Sequence, residues 1–200
     1  MPNTGFDITE LGLADAKLVR GPKFDDDRGY FAVTANDEAF EALGIGRRFT
    51  QDNQSFSHTA GTVRGLHYQL PPFAQAKLVR VLTGSIRDVI VDARIGSPTF
   101  GEHVSVTLSA ESGQQVYVPR GFLHGFMTLE PDTMVLYKVD NAFAQGHDRS
   151  VQWNDPDLAI QWPEVGGSPT LSEKDRHAAR WADLGEPFTY GETELDCAQR

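Results

Sequence analysis

Short apolar runs separated by turn residues dominate the middle of the chain. KLVRVL, DVIVDA, HVSVTL, QQVYV, FLHGFMTL and TMVLYKV follow one another, each of strand length and rich in Val, Tyr and Phe. QDNQSFS and TVRGLHY precede them and alternate in part. Strands this short and this frequent predict an antiparallel sandwich or barrel. Residues 76–94 read as two strands around Thr83-Gly84-Ser85, the pattern of a hairpin. Two helices are expected. One follows Asn36 as N-cap and stops at Gly44; the other follows Ser172 and runs to Gly185. A polar tail takes up residues 186–200, so 1–185 reads as a single domain.

Composition narrows the class. A chain of 200 residues with 40% hydrophobic and 23% charged residues can bury a core of its own. The formal net charge of -10 argues against a general nucleic-acid binder. It leaves room for a local cationic pocket that takes an anionic small molecule. The lone cysteine, Cys197, excludes an intrachain disulfide and a cysteine-based metal site. The opening MPNTGFDITELGLADAK has no basic region followed by an apolar run, and no stretch approaches the roughly 20 apolar residues of a membrane span. The expectation is a cytoplasmic protein without a membrane partner.

The candidate chemistry begins at His67, in VRGLHY. Strict alternation would point Arg64 and His67 to opposite faces, but Gly65 between them permits a bulge that turns both to one cavity. A hydrogen-bonded core histidine is the competing reading. The six histidines, His58, His67, His103, His124, His147 and His177, form no HxH or HExxH pair, which argues against a metal. His124, in RGFLHGF, again reads as either core or cavity. Tyr137 reads as core, rim or proton donor. Asp175, three residues after Ser172, reads as a capping carboxylate or as the partner that fixes a histidine tautomer. Arg28, Arg64 and Lys77 lie among residues that read as buried or pocket-facing, as a phosphate or diphosphate ligand would need. Gln51 and Asn53 share a strand face and can read a base or sugar edge.

The runs DDRGYF, QDNQSFS, VRGLHYQ, AKLVRVL, DARIGSPTFGEHVSVTLSAE, VPRGFLHGF, NDPDLAIQWP and LSEKD, in this order from about residue 18 to 175, resemble the dTDP-4-dehydrorhamnose 3,5-epimerase family. The resemblance implies a cupin-type antiparallel β jelly roll with a few short peripheral helices, no cofactor or metal, and a homodimer whose N-terminal strands pair with the partner. It implies inversion of C3 and C5 of a dTDP-4-keto-6-deoxy sugar through an enolate. The roles it implies are His67 as general base, Asp175 as its orienting partner, Tyr137 as general acid on the opposite sugar face and Lys77 as enolate stabiliser. Arg64 and His124 would bind near the sugar and phosphate, and Arg28, Gln51 and Asn53 would hold the nucleotide, with Lys174 on the same rim. Three positions depart from the family pattern: Val33 stands for a glutamate, Phe143 for the tyrosine that stacks on the base, and Asp148 for a longer glutamate. A relative that inverts only C3 or only C5 fits the same catalytic set. A cupin that binds a sugar nucleotide without catalysis is the alternative from another class, and the joint presence of His67, Lys77, Tyr137 and Asp175 argues against it.

Overall fold

The computed structural model describes residues 5–46, 48–185 and 187–192. Four short strands open the chain: β1 (Asp7–Glu10), β2 (Lys17–Arg20), β3 (Lys23–Asp26) and β4 (Gly29–Ala32). Helix α1 (Asp37–Ala42) follows, with Asn36 accepting from the Ala39 N–H at 2.9 Å as its cap. Nine strands come next: β5 (Gln51–Ser57), β6 (Val63–Gln69), β7 (Lys77–Thr83), β8 (Ser85–Asp92), β9 (Arg94–Ile95), β10 (His103–Ser109), β11 (Gln114–Val118), β12 (Phe122–Thr128) and β13 (Thr133–Val139). The chain then adds β14 (Asp148–Ser150), α2 (Glu173–Arg176), a 3-10 turn at Trp181–Asp183 and β15 (Phe188–Thr189).

Two antiparallel sheets face each other as a jelly roll. One has the order β1-β2-β11-β7-β13-β5 and the other β10-β8-β12-β6-β14. Alternation decides what each face buries. Val79, Val81, Val116, Val118 and Val135 of the first sheet meet Ile86, Ile90, Phe122 and Phe126 of the second in the central core. The opposite face of the five-stranded sheet, with Leu66, Val89, Val91 and Leu123, is covered by the C-terminal segment through Val151, Leu158, Ile160 and Phe188. The outer face of the six-stranded sheet packs Val19, Leu78 and Tyr117 under α1, where Phe40 is fully buried. Such a ring contributes roughly 1.5–3 kcal/mol by leaving water.

Three sequence expectations change. The 83–85 turn does not close a hairpin: β7 pairs with β11 and β13, whereas β8 pairs with β10 and β12. Both strands have an inward apolar face, and those faces pack across the core instead of sharing an edge. Gly84 makes the corner with φ +75, and a Cβ there would lie 2.3 Å from Thr133 Oγ1. The second helix is one turn, not a run to Gly185. Beyond it Ala179 donates to the Ser150 carbonyl at 3.2 Å and accepts from the Gln152 N–H at 2.8 Å, so the segment pairs with the chain beside β14. Asp155 then accepts from Arg180 Nε and from the Trp181 N–H, each at 2.9 Å, and starts the 3-10 turn. The expected polar tail from 186 includes a packed strand: Phe188 is buried and β15 runs parallel to β9. Residues 193–200, with Cys197, lie outside the described residues.

Candidate active site

The central core is apolar at one end and polar at the other. At the polar end two compartments of about 420 and 410 Å³ open between the sheets. His67, Lys77 and Tyr137 line both. They therefore stand where the compartments join. The inner compartment adds Arg64, His124, Phe126, Ser172 and Asp175. The outer one adds Gln51, Asn53, Phe143, Asp148 and Lys174.

A bulge in β6 brings Arg64 and His67 together. His67 is paired with His124, and Arg64 with Phe126, so three steps on β6 span two on β12. Gly65 makes this possible. It has φ +129, and a Cβ on it would lie 2.5 Å from the Gly125 Cα and 2.8 Å from the His124 carbonyl oxygen. The reciprocal glycine, Gly125, faces the Arg64 carbonyl in the same way.

His67 Nε2 lies 2.6 Å from Asp175 Oδ1. Asp175 is buried, and its carboxyl is held below the ordinary carboxylate range: the bonds from His67 and Ser172 outweigh its own desolvation. It is thus an acceptor, Nε2–H is the donor, and Nδ1 keeps the free lone pair. Ser172, the cap of α2, closes this arrangement. Its hydroxyl donates to Asp175 Oδ2 at 2.8 Å and accepts from the Asp175 N–H at 3.1 Å. The capping carboxylate and the histidine partner are therefore one residue.

Burial pulls the His67 imidazole below its usual range; the Asp175 bond opposes that without overcoming it, and Lys174 and Lys77 add to the lowering. Asp175 therefore makes the ring more basic than burial alone would leave it. Burial also pulls the Lys77 ammonium down to about 8, against the fields of Asp148 and Asp88. Tyr137 moves the other way: burial raises its phenol, which keeps its proton near neutral pH.

Arg64 is held by neutral acceptors, with Nη2 donating to the Phe56 carbonyl at 2.9 Å and Nε to Ser57 Oγ at 3.3 Å. Gln51 Nε2 donates to Asn53 Oδ1 at 2.7 Å. Lys174 pairs with Asp148 on the outer rim. Two positions stand apart. Arg28 sits at the β3–β4 turn, almost fully exposed and paired with Asp26. Val33 packs against the cluster beneath α1.

Sequence reasoning missed Asp88. It lies on the inward face of β8 between Ile86 and Ile90, wholly buried, with Oδ2 accepting from His124 Nε2 at 2.8 Å. An aspartate on the core-facing alternation of SIRDVIVD was the available signal. Among the described residues no group of three or more His, Cys, Asp or Glu side chains could hold a metal ion, and no helix is long and apolar enough to cross a membrane.

The model of the family described as dTDP-4-dehydrorhamnose 3,5-epimerase matches residues 10–183. A dTDP-4-dehydrorhamnose 3,5-epimerase of Sinorhizobium fredii is 47% identical over 180 residues, which span 90% of this chain and 92% of that protein. The crystal structure of the Bacillus anthracis dTDP-4-dehydrorhamnose 3,5-epimerase, with TDP and PPi bound, is similar with a TM-score of 0.85 and 48% identity, covering 88% of this chain and 99% of that one. A 3'-monoepimerase from Streptomyces bikiniensis, solved with dTDP-quinovose, has the same TM-score of 0.85 at 33% identity, covering 94% and 96% of the two chains. With the match running nearly end to end, the chain belongs to the dTDP-4-dehydrorhamnose 3,5-epimerase family.

Proposed function

We propose that this protein is an epimerase that inverts C3 and C5 of dTDP-4-keto-6-deoxy-D-glucose, giving dTDP-4-keto-L-rhamnose. The observation that carries the reading is the meeting of His67, Lys77 and Tyr137 at the junction of two compartments, where burial lowers the imidazole and the ammonium and raises the phenol. The C3 and C5 protons are both alpha to the ketone. His67 Nδ1 takes one of them, and the electrons of the C–H bond move onto O4. The Lys77 ammonium donates to that oxygen as its charge grows. At C5 Tyr137 then gives its phenolic proton to carbon from the opposite face, at C3 water gives it, and each time the enolate returns to the ketone. Solvent exchange restores the protons of His67 and Tyr137. Asp175 touches no reacting atom; it fixes which nitrogen of His67 is free.

The outer compartment suits the nucleotide. Gln51 and Asn53 offer amide edges, and Phe143 presents a ring that can stack on a base without the hydroxyl of a tyrosine. Among the described residues Arg64 donates to a hydroxyl and a carbonyl and pairs with no carboxylate, as a diphosphate site requires. The working unit is a homodimer. Phe24, Tyr30 and Phe31 are 59%, 60% and 68% exposed on the β3–β4 hairpin, which joins neither large sheet, and a second copy is the surface that would cover them. Arg28 at the hairpin tip would then reach the nucleotide of the partner.

Incubation with dTDP-4-keto-6-deoxyglucose in deuterated water tests the reading. Deuterium at both C3 and C5, with a rhamno product by NMR, is expected. Deuterium at one carbon alone would make the protein a monoepimerase. The identity to 3,5-epimerases, 36–48% against 33% for the monoepimerase, leans toward the first result.

A further inference from the structure

Asp88 is a buried charge with an incomplete set of partners. Its Oδ2 accepts from His124 Nε2 at 2.8 Å, while Oδ1 is buried and has no hydrogen-bond partner among the described residues. A buried carboxylate oxygen left unpaired destabilises the fold, because its lost hydration is not replaced. Valine or leucine would fit the apolar alternation of β8 without that cost. The strand order places β8 beside β12, and β12 beside β6, so Asp88, His124 and His67 descend one inward face. Lys77 faces them from the other sheet, and the inner compartment touches both Lys77 and His124.

We propose that Asp88 is a positioning residue of the reaction: it orients His124 at the inner compartment and supplies the counter-charge that keeps Lys77 an ammonium beside the developing oxyanion. The inference rests on the epimerase reading above. His124 Nδ1 has no hydrogen-bond partner among the described residues, so the ring's other edge is free for a ligand. Lys77 is surrounded by groups from every packed element: Asp88 from β8, His124 from β12, His67 and Arg64 from β6, Tyr137 from β13, Asp148 from β14, and Lys174 and Asp175 from α2. The two carboxylates whose fields support its charge are Asp148 and Asp88. Asp148 is already paired with Lys174 at the rim. Asp88 is the one turned inward. Removing its charge makes the ammonium easier to deprotonate, so the alkaline limb of the activity profile moves to lower pH.

Asp88→Asn keeps shape and an acceptor for His124 while deleting the charge. Its kcat is expected to fall about 100-fold with KM within about threefold. Its alkaline limb is expected to move down by about one pH unit. Asp88→Glu, which restores the charge, is expected to return the limb to the wild-type pH. An unchanged kcat in Asp88→Asn, or a loss of kcat with the limb unmoved in both variants, would overturn the proposal. If Asp88→Asn does not fold, a downward shift in Asp88→Glu is contradictory by itself. Wild-type exchange at C3 and C5 tests the epimerase reading separately, because it involves no change at Asp88.

Discussion

His67 shows how environment assigns a role to a residue type. In VRGLHY it was as readable as core as it was as catalyst. The deciding partner, Asp175, lies 108 positions away and enters through α2. No local pattern carries that distance. The same holds for Lys77 and Tyr137, which reach the site from β7 and β13. Their protonation sets a pH window. Neutral His67 persists above its lowered value, so the acidic limb of kcat should lie below the ordinary imidazole range. The Lys77 ammonium is lost above about 8, so the alkaline limb should lie near there. A pH–rate profile that rises through pH 8 would contradict the assignment. Tyr137→Phe is expected to abolish epimerisation while some C3 exchange survives, since its proton serves C5. Equal loss of both exchanges by NMR would argue against a role confined to C5.

At the level of elements, strand periodicity was legible and strand partnership was not. The β5 to β8 and β10 to β13 segments stand where alternation and turn residues put them. The corner at Gly84 looked like a hairpin because a Gly turn between two apolar strands has the same local chemistry whichever sheet the second strand joins. Likewise Ser172 was readable as a cap, but the helix after it was cut short by pairing of Ala179 with the chain beside β14. Tertiary hydrogen bonds outweighed local propensity there. The β6 bulge was anticipated from Gly65, and its reason is the closeness of Gly125. Gly65→Ala sets a Cβ 2.5 Å from the Gly125 Cα, in a backbone conformation that L side chains avoid. It should cost about 3 kcal/mol or more in urea denaturation. A variant of wild-type stability would show that the two strands can separate without loss.

For the whole molecule, the single chain holds the residues proposed as acid, base and enolate stabiliser, yet leaves Arg28 and three aromatic rings exposed on a hairpin. Light scattering is expected to give a dimer. Arg28→Ala should raise KM for the sugar nucleotide by about tenfold while kcat stays near wild type, because it removes a charged contact remote from the reacting carbons. A monomer with full activity would refute the shared site. The fold class was legible because many short strands leave few alternatives. Which copy Arg28 would serve in the proposed dimer was not, because one chain's sequence holds no record of a second copy's placement.

In the proposed reaction one base, His67, serves two carbons. Deuterium incorporation by His67→Ala, measured by NMR of dTDP-4-keto-6-deoxyglucose in deuterated water, tests it most directly. Loss of exchange at both C3 and C5, by about a thousandfold or more, with dTDP still bound, is expected. Exchange persisting at either carbon at the wild-type rate would contradict it.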